Sequence, residues 1–271
     1  MIKRLRSKYT YSLILLRQLV ITEFKLRYRG SFLGYVWTLL RPLALFAVLY
    51  VVFFYFLRFG AGIPHFPVYL LLGIVLWSYF IEVTTNGLSA IVGHGDLMRK
   101  LYFPRYVIVI AGSFSALINL AINLIVVSIF MAISGVSLSW HILWVIPLII
   151  ELFVFALSIA FLLSALYVKF RDINYIWEVV LQAGFYATPI IYPLSIVLTI
   201  SPLAAKIMLL NPLAQIIQDM RAAVVSADTA TITSVFGNSY MHVVPIIIIV
   251  LFAIISMLYF KKKSPGFAED I

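Results

Sequence analysis

The clearest chemistry in the sequence is a run of positive charge: Lys25, Arg27, Arg29 and Arg41 within Phe24-Lys-Leu-Arg-Tyr-Arg-Gly-Ser-Phe-Leu-Gly-Tyr-Val-Trp-Thr-Leu-Leu-Arg-Pro-Leu43. There a basic amphipathic segment turns into the first long apolar run. Guanidinium groups make paired hydrogen bonds to phosphate, and an ammonium acts as a point charge beside it. Two readings stay open: the charges sit beside anionic headgroups and fix orientation, or they hold one particular headgroup.

The acids tell less. Glu82, Glu151 and Glu178 are separated along the chain, and no serine, histidine and acid are spaced as a nucleophilic triad. His65, His94, His141 and His242 are isolated, without metal-ligand spacing. Cysteine is absent, so there is no thiolate nucleophile and no disulfide framework. Gly93-His-Gly follows no strand, and no Gly-x-x-x-x-Gly-Lys-Ser/Thr occurs, so the chain has no P-loop for ATP. These observations argue against an enzyme and against a bound cofactor or metal.

Composition says what must position such residues. The chain is 64% hydrophobic and 11% charged, with mean hydropathy +1.09, whereas soluble domains are about 45–50% apolar and about 25% charged. It reads as an all-α integral membrane protein. A net charge of +10 would suggest nucleic acid in a soluble domain; here it has a topological meaning. Seventeen of the twenty basic residues fall in residues 1–41, at Arg99, Lys100 and Arg105, at Lys169 and Arg171, and at Lys261 to Lys263. Arg58, Lys206 and Arg221 are left for the other side. No small-residue cleavage site follows the basic N-terminus, so no removable signal peptide is expected.

Residues 10–30 are expected to form an amphipathic interface helix, with Leu13, Leu16, Val20 and Phe24 on one face. Six spans follow, at 35–57, 68–92, 106–134, 142–168, 175–192 and 243–260, within a single domain covering 1–271. Each is measured against a hydrocarbon core of roughly 30 Å. Glu82 at depth must face protein or water, and Asn119 and Asn123, one turn apart, suit pairing across a helix interface. Pro189 and Pro193 stop the fifth span. Residues 194–225, cut by Pro202 and Pro212, read as two short re-entrant helices on the outer side. Basic residues at both ends require an even number of crossings, so both termini are placed in the cytoplasm. Ser226 to Ser239 is an external loop, and residues 264–271 form a short tail.

Five motifs in order then carry a resemblance: Phe24 to Pro42 as quoted above, Leu97-Met-Arg-Lys-Leu-Tyr-Phe-Pro-Arg105, Phe170-Arg-Asp-Ile173, Thr188-Pro-Ile-Ile-Tyr-Pro193 and Asn211-Pro-Leu213. With them the chain resembles the membrane-spanning permease subunit of type-2 ABC exporters, in the branch that exports lipid-linked polysaccharides such as O-antigen, capsule and teichoic acid. The resemblance implies a bacterial cytoplasmic-membrane protein that works as a homodimer with two copies of a separate ABC ATPase. That partner would bind the ATP and Mg that this chain does not. Asp96, Leu97, Met98, Arg99, Lys100, Phe170, Arg171 and Asp172 would meet the ATPase and act as its levers. The substrate would be a glycan on a polyprenyl-pyrophosphate carrier, whose headgroup Lys25, Arg27, Arg29 and Arg41 would bind. A glycan channel needs aromatic faces and exchangeable hydroxyls; Tyr50, Phe53, Phe54, Tyr79 and Tyr186 are the candidates, with helix packing as the alternative for each ring.

Competing readings have their own requirements. A drug or natural-product exporter permease would need no polyprenyl carrier. An ATPase-independent secondary transporter or channel would need an ion cage, which the three separated glutamates do not provide. A membrane-bound glycosyl or acyl transferase would need catalytic acids or histidines gathered at one interface.

Overall fold

Apolar stretches bounded by Pro, Gly and charge become helices throughout. The computed structural model of the chain describes residues 13–23, 25, 34–58, 60, 62–100, 103–137 and 139–267, with the side chains of residues 35 and 100 outside that set. Among the described residues there is no strand. Helix α1 covers residues 13–23, with Leu13 and Ile14 exposed and Leu15, Leu16 and Leu19 half-buried.

Among the described residues, five helices are long and apolar enough to cross a membrane. They are α2 (Trp37–Tyr50, continued by a π-helical turn Val51–Phe56), α3 (Phe66–Gly93), α5 (Tyr106–Ile133), α6 (Val145–Lys169, entered by a 3-10 turn Trp140–Trp144) and α12 (Val243–Lys263). The short α4 (Gly95–Lys100) joins α3 to α5. The sequence expectation of a crossing at 175–192 meets a shorter element, α7 (Ile173–Ala187), of 15 residues. At about 1.5 Å per residue it reaches about 22 Å, short of a core of roughly 30 Å. The cause is local: Thr188 is extended, at φ −97 and ψ 138, as the residue before a proline prefers.

Beyond α7 the expected two short helices are three: α8 (Leu194–Ile200), α9 (Pro202–Leu210) and α10 (Pro212–Val224). Each internal proline opens a new helix at its first position, where no N–H is needed. The residue before it caps that helix: Ser201 accepts from Ala204 N and Asn211 from Leu213 N. The expected loop 226–239 holds a further helix, α11 (Ile232–Phe236), started by a reciprocal Thr231/Ser234 capping box. The tail is anchored, because Phe267 is buried and its ring meets Phe260 at 5.4 Å.

At the centre stands α3, buried on nearly every side: Val68, Leu70, Ile74, Leu76, Val83 and Ile91 have no exposure. Lipid tails are as apolar as leucine, so helix association in a bilayer rests on close contact rather than on hydrophobic gain. Gly87 supplies that contact, since a Cβ there would collide with Ala160 of α6. Phe161 of α6 in turn meets Phe260 of α12 at 5.0 Å. Both contacts lie near the C-terminal ends of their helices. Therefore α3, α6 and α12 run parallel, and α4, Lys169 to Arg171 and Lys261 to Lys263 share one basic end. The helices α8 to α11 sit at the far end, where Tyr69 of α3 and His242 before α12 touch α10.

Candidate functional site

A cavity of about 970 Å³ opens between α2, α3, α5 and α7. Each wall has a sequence reason. On α7 the residues at helical spacing, Asn174, Trp177, Glu178, Leu181, Gln182 and Phe185, face inward, while Tyr175, Ile176, Val179 and Val180 point away and are exposed. From α3 come Trp77, Tyr79, Glu82 and Asn86, and from α5 Asn119 and Asn123.

Aromatic contacts join α3 to α7. Trp77 meets Phe185 at 5.9 Å and Phe80 meets Trp177 at 6.3 Å. The Trp177 indole donates to Thr84 Oγ1 at 3.2 Å, and that hydroxyl donates to the Phe80 carbonyl at 2.8 Å. Glu82 accepts from Asn119 Nδ2 at 2.7 Å, so the carboxylate at depth faces a neighbouring helix. Asn123 Nδ2 donates to the Thr38 carbonyl of α2 at 3.3 Å. Three buried polar atoms on this wall lack a hydrogen-bond partner among the described residues: the Tyr79 hydroxyl, Asn86 Nδ2 and Asn119 Oδ1. An unpaired buried polar atom costs about 1–3 kcal/mol. The cavity therefore favours an occupant that supplies both donors and acceptors.

The structure brings some of the candidate residues together here and leaves others elsewhere. Tyr79, buried, and Tyr186, exposed, line the cavity, as does Arg41. Arg41 stands one turn beyond Thr38, level with Asn123, which is about 25 Å along α5 from its start. Its side chain is exposed, on the open side of the cavity. Tyr50 and Phe54 stack at 4.9 Å, and Phe54 meets Phe66 at 5.9 Å. With half-buried Phe53 they lie off the cavity wall, on the π-helical end of α2. Lys25 is helical and exposed; Arg27 and Arg29 lie outside the described residues. Sequence reasoning missed Trp77, Trp177 and Phe185, although the spacing of Asn174, Trp177, Leu181 and Phe185 carried the signal. Gly34 has φ +46 and open space where a Cβ would stand, so it serves a turn.

At the basic end, α4 exposes Asp96 and Arg99 and half-buries Leu97 and Met98; Lys100 belongs to the helix, its side chain outside the described set. Phe170, Arg171 and Asp172, all exposed, form the whole link between α6 and α7. Lys169 lies 5.4 Å from the Phe170 ring, and Arg171 5.3 Å from that of Tyr167. His94 Nε2 stands 3.9 Å from Glu23 Oε1, which brings α1 to this end.

Arg221, expected among the three basic residues on the far side, is fully buried instead. Its guanidinium donates to the carbonyls of Tyr69 (3.0 Å), Pro189 (2.6 Å) and Ile190 (2.7 Å) and to Gln218 Oε1 (3.0 Å), and lies 3.6 Å over the Tyr69 ring. Burial pushes its pKa down, while Tyr69 pushes it back up. Gly73 makes room, since a Cβ there would meet the guanidinium. One side chain thus ties α10 to α3 and to the end of α7.

A family model for the ABC-2 type transporter matches residues 14–225. An O-antigen export system permease protein, RfbA, of Myxococcus xanthus is 31% identical over 274 residues, covering 100% of both chains. Two proteins of the same description from Klebsiella pneumoniae are 32% identical over 216 residues, covering 75% of this chain and 82% of theirs.

Proposed function

The chain belongs to the ABC-2 type transporter family, as a permease of its O-antigen branch, and on that premise we propose that it conducts a polyprenyl-pyrophosphate-linked glycan across the bacterial cytoplasmic membrane. It acts as a homodimer with two ABC ATPase subunits, which bind the ATP and Mg. Both termini are cytoplasmic, α7 makes the fifth of six crossings together with residues 188–192, and α8 to α10 return within the outer leaflet as a gate.

The observation that carries the glycan reading is the cavity wall. Trp77, Trp177, Phe185 and Tyr186 offer faces for sugar rings, and the unpaired atoms of Tyr79, Asn86 and Asn119 offer donors and acceptors to hydroxyls. A small apolar drug would leave those atoms unpaired. Off the cavity wall, Tyr50, Phe53 and Phe54 would extend an aromatic path outward along the end of α2. Lys25, Arg27, Arg29 and Arg41 receive the pyrophosphate, with Arg41 following it into the cavity.

The test is export in cells or proteoliposomes containing the partner ATPase. Tyr79→Ala and Tyr186→Ala should slow polymer export several-fold with ATPase assembly intact; unchanged export would assign both rings to packing. Reversing charge at Arg27 and Arg29 together should abolish export while the complex still assembles. Survival of export would remove the headgroup assignment and leave only the orienting role.

A further inference from the structure

A second cavity, of about 890 Å³, lies at the far end between α6, α10 and α12 and shares no lining residue with the first. Its polar floor is rich in acceptors. Asp219 Oδ2 accepts from Gln215 Nε2 at 2.6 Å and lies 3.0 Å from His242 Nε2. Gln215 is only 2% exposed, yet its Oε1 has no hydrogen-bond partner among the described residues, and neither does the buried Oε1 of Glu151. The nearby imidazoles are engaged: His242 Nδ1 lies 3.3 Å from Thr233 Oγ1 and 3.2 Å from the Ser239 carbonyl, and His141 Nδ1 lies 3.0 Å from Ser139 Oγ. Burial holds the Asp219 carboxyl above its ordinary pKa, with Gln215 and His242 pulling it back.

Two acceptor oxygens without donors among the described residues, Gln215 Oε1 and Glu151 Oε1, beside the carboxylate of Asp219, call for an occupant that brings N–H groups and positive charge. A primary ammonium carries three donors and one charge in a compact head. Its surroundings are hydrocarbon: Leu148, Val154, Ala222 and Ile249 line the cavity, and the large side chains at its edge, Trp144, Ile150, Ile246 and Val250, are exposed. On a membrane-spanning surface such side chains face lipid, so the way in is from the bilayer. An amphiphile fits that route and a water-soluble cation does not.

We infer that this cavity binds the ammonium head of an ethanolamine phospholipid from the surrounding leaflet, with Glu151, Gln215 Oε1 and Asp219 as its acceptors and the acyl chains along α6 and α12. The site is independent of the glycan path, and its test needs no transport.

Purified full-length protein in detergent is titrated with phosphatidylethanolamine, phosphatidylcholine or phosphatidylglycerol of identical acyl chains, and with dodecylammonium, reading thermal midpoint and bound lipid by native mass spectrometry. Phosphatidylethanolamine should stabilise more than phosphatidylcholine, whose quaternary nitrogen has no N–H, and more than phosphatidylglycerol. Glu151→Gln should weaken that preference about tenfold or more, the scale of one charged hydrogen bond. Ala222→Leu, which fills the cavity and keeps both carboxylates, should abolish it, with the response to phosphatidylcholine unchanged as the control for folding. Equal stabilisation by the three phospholipids, or a preference that survives both substitutions, overturns the site. Stabilisation by dodecylammonium alone upholds the ammonium acceptors and overturns the phospholipid as their occupant.

Discussion

A guanidinium buried among carbonyls is costly to desolvate, and its hydrogen bonds offset that cost. No carboxylate pairs with Arg221 among the described residues, but three carbonyls, one amide oxygen and an aromatic face surround it. Arg221→Met leaves the carbonyls of Tyr69, Pro189 and Ile190 buried without this donor, at about 1–3 kcal/mol apiece. The thermal midpoint of the purified protein should fall clearly, and Arg221→Lys should recover only part, because an ammonium cannot span all three acceptors. A Met variant that melts with the parent would mean the carbonyls find other donors. None of this was legible in the sequence, where Arg221 is one cation in a far-side tally. Its depth depends on Gly73 and on the bend at Pro189, which are tertiary facts.

Helices were legible where apolar runs were long. The spans expected at 68–92 and 106–134 correspond to α3 and α5, because nothing but packing interrupts their pattern. Proline marked the breaks after Ala187, but not how many helices they would produce. Ser201 and Asn211, adjacent to Pro202 and Pro212, hold the answer as caps. The cavity was half-legible: Tyr79 and Tyr186 were visible as aromatics at depth, whereas Tyr50 and Phe54 stack against Phe66, a contact decided by how α2 docks on α3. At the basic end, α4 joins α3 through His94 alone, and the three-residue link joins α6 to α7, so force applied there passes directly into the bundle. Arg99→Glu and Phe170→Ala should each weaken co-purification of the ATPase or uncouple its hydrolysis from export, with the folded permease retained. Normal coupling in both variants would place the ATPase contact elsewhere.

The molecule as a whole is a bundle of helices packed around α3. Its composition made the membrane legible at once, and five ordered motifs made the family legible, because family membership rests on patterns spread along the chain. The polar interior of the cavity was less legible, since Asn86 and Asn119 read equally well as helix-packing residues. Among the described residues there is no cluster of metal-ligating side chains, and the sequence has no P-loop. The ABC-2 permease family implies an ABC ATPase as the source of energy. The most direct measurement is glycan translocation by the purified permease in proteoliposomes, with polyprenyl-pyrophosphate-linked glycan and ATP, in the presence and absence of the ABC ATPase subunit. Movement that requires the ATPase and stops when its hydrolysis is blocked is the predicted result; movement by the permease alone would contradict it.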